Sequence, residues 1–232
     1  MLDSFTNPNA CTKIGNSGAQ SNQSIVRIPG KHFHMSSNDQ PQHQMRLYDA
    51  TAHRLYINAV ERERFLVAAR SAHRDICSFG LTLLYTGCRI SEALALKRDD
   101  IQLETRVISF RTLKRRRSDI YREVPIPEEL VQALALTMDD KLRGEAIWQF
   151  DRAPVNRSTA YRWIKFLMEK AAIHGGQASP KGLRHGYGIH ALQCGVPLNM
   201  LQKWMGHADM ATTAIYADAC GVEEREIARR MW

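Results

Sequence analysis

The stretch DICSFGLTLLYTG, residues 75–87, is apolar on nearly every side over the length of a helix. A helix without a polar face must be enclosed by other elements, because any exposed side would leave apolar area in water. Its apolar run, FGLTLLY, falls far short of the roughly 20 residues that span a bilayer. It therefore predicts the central helix of a soluble core, closed by Gly87.

The neighbouring patterns are mostly helical too. NAVERERFLVAARSA sets Val60, Phe65, Leu66 and Ala69 at helical spacing for burial. RISEALAL begins a third helix with Arg89 at its mouth. TRVISFRTL and IYREVPIP are rich in β-branched residues and flank the cationic turn KRRRSD, which reads as a hairpin. PEELVQALALTM starts at Pro127. NRSTAYRWIKFLMEKAAIHGG is capped by Asn156 or Ser158 and stops at Gly175. SPKGLRHGYGIHALQCG has Ser179 as cap, Pro180 at the first helical position and Gly195 past its end. PLNMLQKWMG, DMATTAIYADA and the amphipathic VEEREIARRMW follow. The expected class is mainly α with one small antiparallel β-sheet (α+β).

Residues 1–47 differ in texture: dense in Asn, Gln and Ser, poor in apolar residues and without sustained periodicity. They read as a mostly disordered or loosely attached segment, with the folded domain over 48–232. His32 and His34 lack the further partners of a metal site, so no metal is expected. Five widely spaced cysteines without a CxxC pair argue against a disulfide framework and for a reducing compartment, the cytoplasm. A formal net charge of +8 calls for a polyanionic partner, nucleic acid first and an acidic membrane second.

Three places concentrate chemistry. Lys181 and Arg184 share a face at the start of one helix, where cations oppose the dipole yet sharpen anion binding. Arg89 enters another, with Glu92 three residues on to hold its guanidinium from behind. Behind the Gly-His turn at His207 comes Tyr216, a residue type that more often packs than reacts. Together these suit attack of a tyrosine hydroxyl on a phosphodiester. Two arginines would neutralise the non-bridging oxygens, and a lysine or histidine would supply protons. Such a reaction needs no metal, ATP or other cofactor, because the phosphotyrosyl ester keeps the energy of the broken bond.

The order TGCRISEAL, a basic hairpin ending in REVPIP, KGLRHGYGIHAL and MGHADMATTAIYADA resembles the tyrosine recombinases, the phage-integrase-type site-specific recombinases, from about Tyr56 onward. The resemblance implies their catalytic-domain fold and DNA strand cleavage through a 3′-phosphotyrosine link, then rejoining to a partner strand. Tyr216 would be the nucleophile and His207 the histidine before it. Arg89 and Arg184 would be the catalytic arginines, supported by Glu92 and His185. Lys114 would protonate the leaving 5′-hydroxyl, with Arg115, Arg116 and Arg117 beside it on the DNA. The implied partners are double-stranded DNA, further copies of the chain in a tetramer joined through residues 221–232, and accessory DNA-bending proteins. Two departures stand out. Lys181 occupies the place of the family's usual histidine, and only a short, weakly apolar segment stands where most members carry a DNA-clamping domain. A non-catalytic DNA-binding protein and a type IB topoisomerase-like relaxase are the alternative readings on the same residues.

Overall fold

The computed structural model describes residues 46–111, 121–217, 229, 231 and 232. Most of the segments 1–47 and 221–232, together with Lys114, Arg115, Arg116 and Arg117, lie outside the described residues.

The apolar stretch forms helix α2 (Arg74–Thr86), and Phe79, Leu81, Leu83 and Leu84 on it are almost fully buried. It packs against α1 (Ala59–Arg70), α3 (Ile90–Leu94), α4 (Glu128–Met138), α5 (Arg157–Lys170) and α6 (Pro180–Gln193). This is the enclosure that an all-apolar helix demands. Gly87 ends α2 in the left-handed region at φ 60°, and a Cβ there would lie 2.3 Å from the Tyr187 ring. Helices α7 (Leu198–Met205) and α8 (Ala211–Ala214) complete the chain towards Tyr216.

The expected hairpin pairs β2 (Val107–Arg111) with β3 (Tyr121–Pro125), Val107 opposite Pro125 and Arg111 opposite Tyr121. A short strand β1 (Ile101–Gln102) adds to its edge, so the sheet has three antiparallel strands in the order β1-β2-β3. A second small ladder joins β4 (Gln149–Phe150) to β5 (Ala153–Pro154). On β3 the residues Arg122 and Val124 face inward while Tyr121, Glu123 and Pro125 face outward.

Two expectations need correction. Val60 is 68% exposed, and the inner face of α1 instead takes in Glu61 and Arg62 beside Phe65, Leu66 and Ala69. Glu61 tolerates burial because its carboxylate pairs with the Arg54 guanidinium and accepts the Asn58 N–H in a capping box. Helix α5 ends at Lys170, not at Gly175. The Ile173 N–H reaches back to the Met168 carbonyl and the Ala172 N–H to that of Glu169, while Ala172 adopts φ 50°. This is the usual glycine-terminated helix stop, made here by an alanine because Ile173 is drawn into the core. The other end of α5 follows expectation, with the Asn156 side chain accepting the Thr159 N–H.

Candidate active site

The site is built where the ends of α2 and α7 meet the starts of α3 and α6. Ser179 caps α6 by accepting the Gly182 N–H, and Pro180 occupies its first turn, as the sequence predicts. Arg184, one turn on, points inward and is 6% exposed. Its guanidinium donates to the carbonyl of Gly87, at the end of α2, and to that of Met205, at the end of α7 (2.8 Å). Both carbonyls belong to helix ends, which lack intrahelical donors and carry the negative pole of the helix dipole. Burial, and then the charge of Arg89, pull the Arg184 pKa down to about 10, so the group remains a cation at neutral pH.

Arg89 stands at the N-terminus of α3 with its side chain 27% exposed. Glu92 accepts its backbone N–H at 2.8 Å and its guanidinium at 3.0 Å. Burial works against the charge of Glu92, yet Arg122 and Arg89 hold its carboxyl below the usual range. Arg122 on β3 supplies the stronger partner, Nη2 to Oε2 at 2.7 Å. Sequence reading passed over Arg122. The available signal was its place in phase with Val124 and Ile126, the apolar positions of a strand.

Tyr216 is fully buried, and its ring lies against α6 where a Cβ on Gly188 would come within 2.7 Å. Its hydroxyl stands 3.2 Å from Nδ1 of His185. The His207 ring stacks near it at an interplanar angle of 18° and meets the Thr213 hydroxyl through Nδ1 at 2.9 Å. Burial pushes the Tyr216 hydroxyl up to about 12, against the pull of Arg184 and Arg89. Burial likewise drives His185 and His207 down to about 3, reinforced by Lys181 at the first and by Arg184 at both. The Nε2 atoms of both imidazoles are buried without a protein hydrogen-bond partner among the described residues. The pocket thus holds arginine cations, two neutral imidazoles and a protonated phenol.

The structure therefore brings Arg89, Glu92, Arg184, His185, His207 and Tyr216 together. Lys181 does not join them: it is exposed on the first turn of α6, and only its charge reaches His185. Of the two cations expected to share this face, Lys181 stays at the surface and Arg184 turns inward to the two helix ends.

Residues 55–220 match the phage integrase family. The chain belongs to that family. Among other integrase-family proteins, it is 30% identical over 151 residues to a tyrosine recombinase of Thermosipho africanus, covering 64% of this chain and 51% of that one. It is 36% identical over 146 residues to tyrosine recombinase XerD of Mycobacterium tuberculosis, covering 59% and 45%. The chain thus spans about half the length of the curated relatives it matches. The crystal structure of XerA recombinase superposes with a TM-score of 0.67 at 30% identity, over 76% of this chain and 64% of that one. The XerH recombinase bound to its difH substrate shares the fold, with a TM-score of 0.63 at 19% identity, over 73% and 55%. The expected mainly helical fold with small antiparallel sheets is that of these integrase-family structures.

Neutral buried imidazoles give this integrase-family domain a pH signature. Below pH 6.5 the unfolded chain binds protons at His185 and His207 that the folded chain refuses until about pH 3, so stability falls as pH falls through this window. The expected slope is about 1.4 kcal/mol per pH unit for each histidine. The carboxylates Glu61 and Glu92, whose pKa values are also lowered, add their loss only below about pH 4.5. Urea midpoints measured between pH 7 and pH 5 isolate the imidazoles. His190 is lowered as well, so His185→Gln and His207→Gln should each remove only part of the slope. An unchanged slope in both variants would contradict the assignment.

Proposed function

We propose that the chain is the catalytic region, residues 48–232, of a site-specific DNA recombinase. The observation that carries this reading is one tyrosine hydroxyl 3.2 Å from His185 Nδ1, on the helix that also holds Arg184, with Arg89 fixed by Glu92 at the start of α3. In the proposed reaction the Tyr216 oxygen attacks a DNA phosphorus and forms a 3′-phosphotyrosine. The P–O bond to the 5′-oxygen breaks, and that oxygen leaves with a proton. Attack by a 5′-hydroxyl of a second strand reverses the step and releases Tyr216. Integration, excision, inversion and resolution share this chemistry.

Arg89 and Arg184 neutralise the non-bridging oxygens, and Lys181 adds charge from the rim. Lys114, on the hairpin turn, is assigned the proton for the leaving oxygen, with Arg115, Arg116 and Arg117 on the backbone phosphates. His185 is assigned the Tyr216 proton, its Nδ1 standing 3.2 Å from the hydroxyl. In the DNA-free state a phenol near 12 cannot pass its proton to an imidazole near 3. The incoming phosphodiester monoanion offsets the surrounding cations and moves the imidazole towards its ordinary value. His207 offers Nε2 to the phosphate. The full burial of Tyr216 requires its segment to shift before a DNA phosphorus can reach the oxygen.

Double-stranded DNA is the proposed substrate, in keeping with the Tn1549 transposon integrase, a structure of related fold that is in complex with a circular intermediate DNA. Assembly as a tetramer through residues 221–232, help from DNA-bending proteins and action in the cytoplasm complete the reading. To test it, the protein is incubated with nicked duplexes cut from the DNA that flanks its coding sequence. A covalent adduct should survive a denaturing gel, and after digestion the peptide carrying Tyr216 should hold the added nucleotide. No adduct, or an adduct on another residue, would overturn the proposal.

A further inference from the structure

Arg122 touches two arms of the site at once. Its Nη2 and Nη1 donate to the two oxygens of Glu92, at 2.7 and 3.4 Å. Its Nε donates to the carbonyl of Trp204 at 2.8 Å. Its guanidinium stacks on the Phe110 ring at 4.9 Å. A Cβ on Gly206 would stand 3.1 Å from the guanidinium carbon, so Gly206 gives the group room. Arg122 and Glu92 are 6% and 3% exposed, so the pair is dry.

These contacts have distinct destinations. Glu92 passes the constraint to Arg89, whose backbone and guanidinium it holds. Trp204 is the penultimate residue of α7, and the turn after that helix delivers His207. We infer that Arg122 is a positioning residue: its single planar fork sets the guanidinium of Arg89 and the ring of His207 at a fixed separation, tying the hairpin base to both. A lysine could hold the charge but not the plane, because one ammonium lacks the rigid divergent donors that meet a carboxylate and a carbonyl together.

The inference rests on the recombinase reading but has a readout that does not. Buried Glu92 is faced by Arg89 from its own helix, Arg122 from β3, Cys88 from the loop before it and Arg184 from α6. With Arg122 in place the carboxylate stays charged. In Arg122→Met the burial of Glu92 is no longer opposed by its main partner, so its titration moves upward. Carbon-13 NMR of the glutamate carboxyls, in protein without DNA, should show one resonance moving to higher pH in Arg122→Met and vanishing in Glu92→Gln.

On the nicked duplexes, adduct formation at saturating DNA should fall on the order of 100-fold in Arg122→Met, the cost of misplacing a reacting group by about 1 Å. Its rate should then rise with pH through the displaced Glu92 titration, and Glu92→Gln in the same background should flatten that dependence. Arg122→Lys keeps the ion pair; it should keep the parental Glu92 titration and pH profile and still lose roughly 10-fold in rate. Folding of each variant is checked by thermal melting, and if Arg122→Met does not fold, Arg122→Lys decides. Parental rates in Arg122→Lys, or an unmoved Glu92 resonance and a flat pH profile in Arg122→Met, would overturn the inference. Absence of adduct from the parent protein refutes the recombinase reading instead, and the NMR titration still judges the Arg122–Glu92 link.

Discussion

Tyr216→Phe is expected to bind DNA as tightly as the parent and to form no covalent adduct. The substitution removes one oxygen and keeps the ring that packs beside Gly188. The stability lost includes the hydrogen bond to His185, about 1 kcal/mol. The adduct loses its only proposed nucleophile, and deletion of a nucleophile costs rates on the order of 10⁶. Fluorescence anisotropy on labelled nicked duplex gives the affinity, and a denaturing gel gives the adduct. Full burial makes a packing role for Tyr216 a real competitor. That role predicts a phenylalanine variant that still forms adduct, and such a result would remove Tyr216 from the chemistry.

Arg184→Ala is expected to lose both reactivity and stability. Removing one preorganised donor to a developing phosphorane costs about 10²- to 10³-fold in rate. The variant also strips the donor from the carbonyls of Gly87 and Met205, each costing roughly 1 to 3 kcal/mol if left buried and unpaired. Urea unfolding should therefore show a large drop, with the junction of α2 and α7 loosened. Arg184→Lys separates the two effects: it restores the charge but cannot reach two carbonyls and a phosphate together. A cleavage rate for folded Arg184→Ala within tenfold of the parent would contradict its proposed role.

Much of this arrangement can be read in the sequence where one residue decides it locally. Ser179 and Pro180 announce the start of α6, Gly87 the end of α2, and the apolar stretch its own enclosure. Reading fails where a distant partner decides. Val60 sits at a helical apolar spacing yet is exposed, because Glu61, paired to Arg54, takes the inner side of α1. Ala172 replaces the glycine expected at the end of α5, because burial of Ile173 outweighs its unfavourable φ. Strand β1 is two residues long, too short for any periodicity to show. Arg122 carries a positional signal, but only Glu92, 30 residues away, gives it meaning. Lys181 looks like the equal of Arg184 three residues on, and only the tertiary fold separates the exposed cation from the buried one.

The sequence separations within the site bear on when its chemistry can exist. Arg184 is fixed by the carbonyl of Gly87, 97 positions earlier, and by that of Met205, 21 positions later. Arg122 reaches 82 positions ahead to Trp204. Contacts this far apart close late in folding, after the entropy of the long loops has been spent. A chain still emerging from the ribosome holds Arg89 and Arg122 long before His207 and Tyr216 are made. On the proposed function, the DNA-cleaving constellation therefore exists only where these distant contacts have closed, and a partly unfolded copy lacks it.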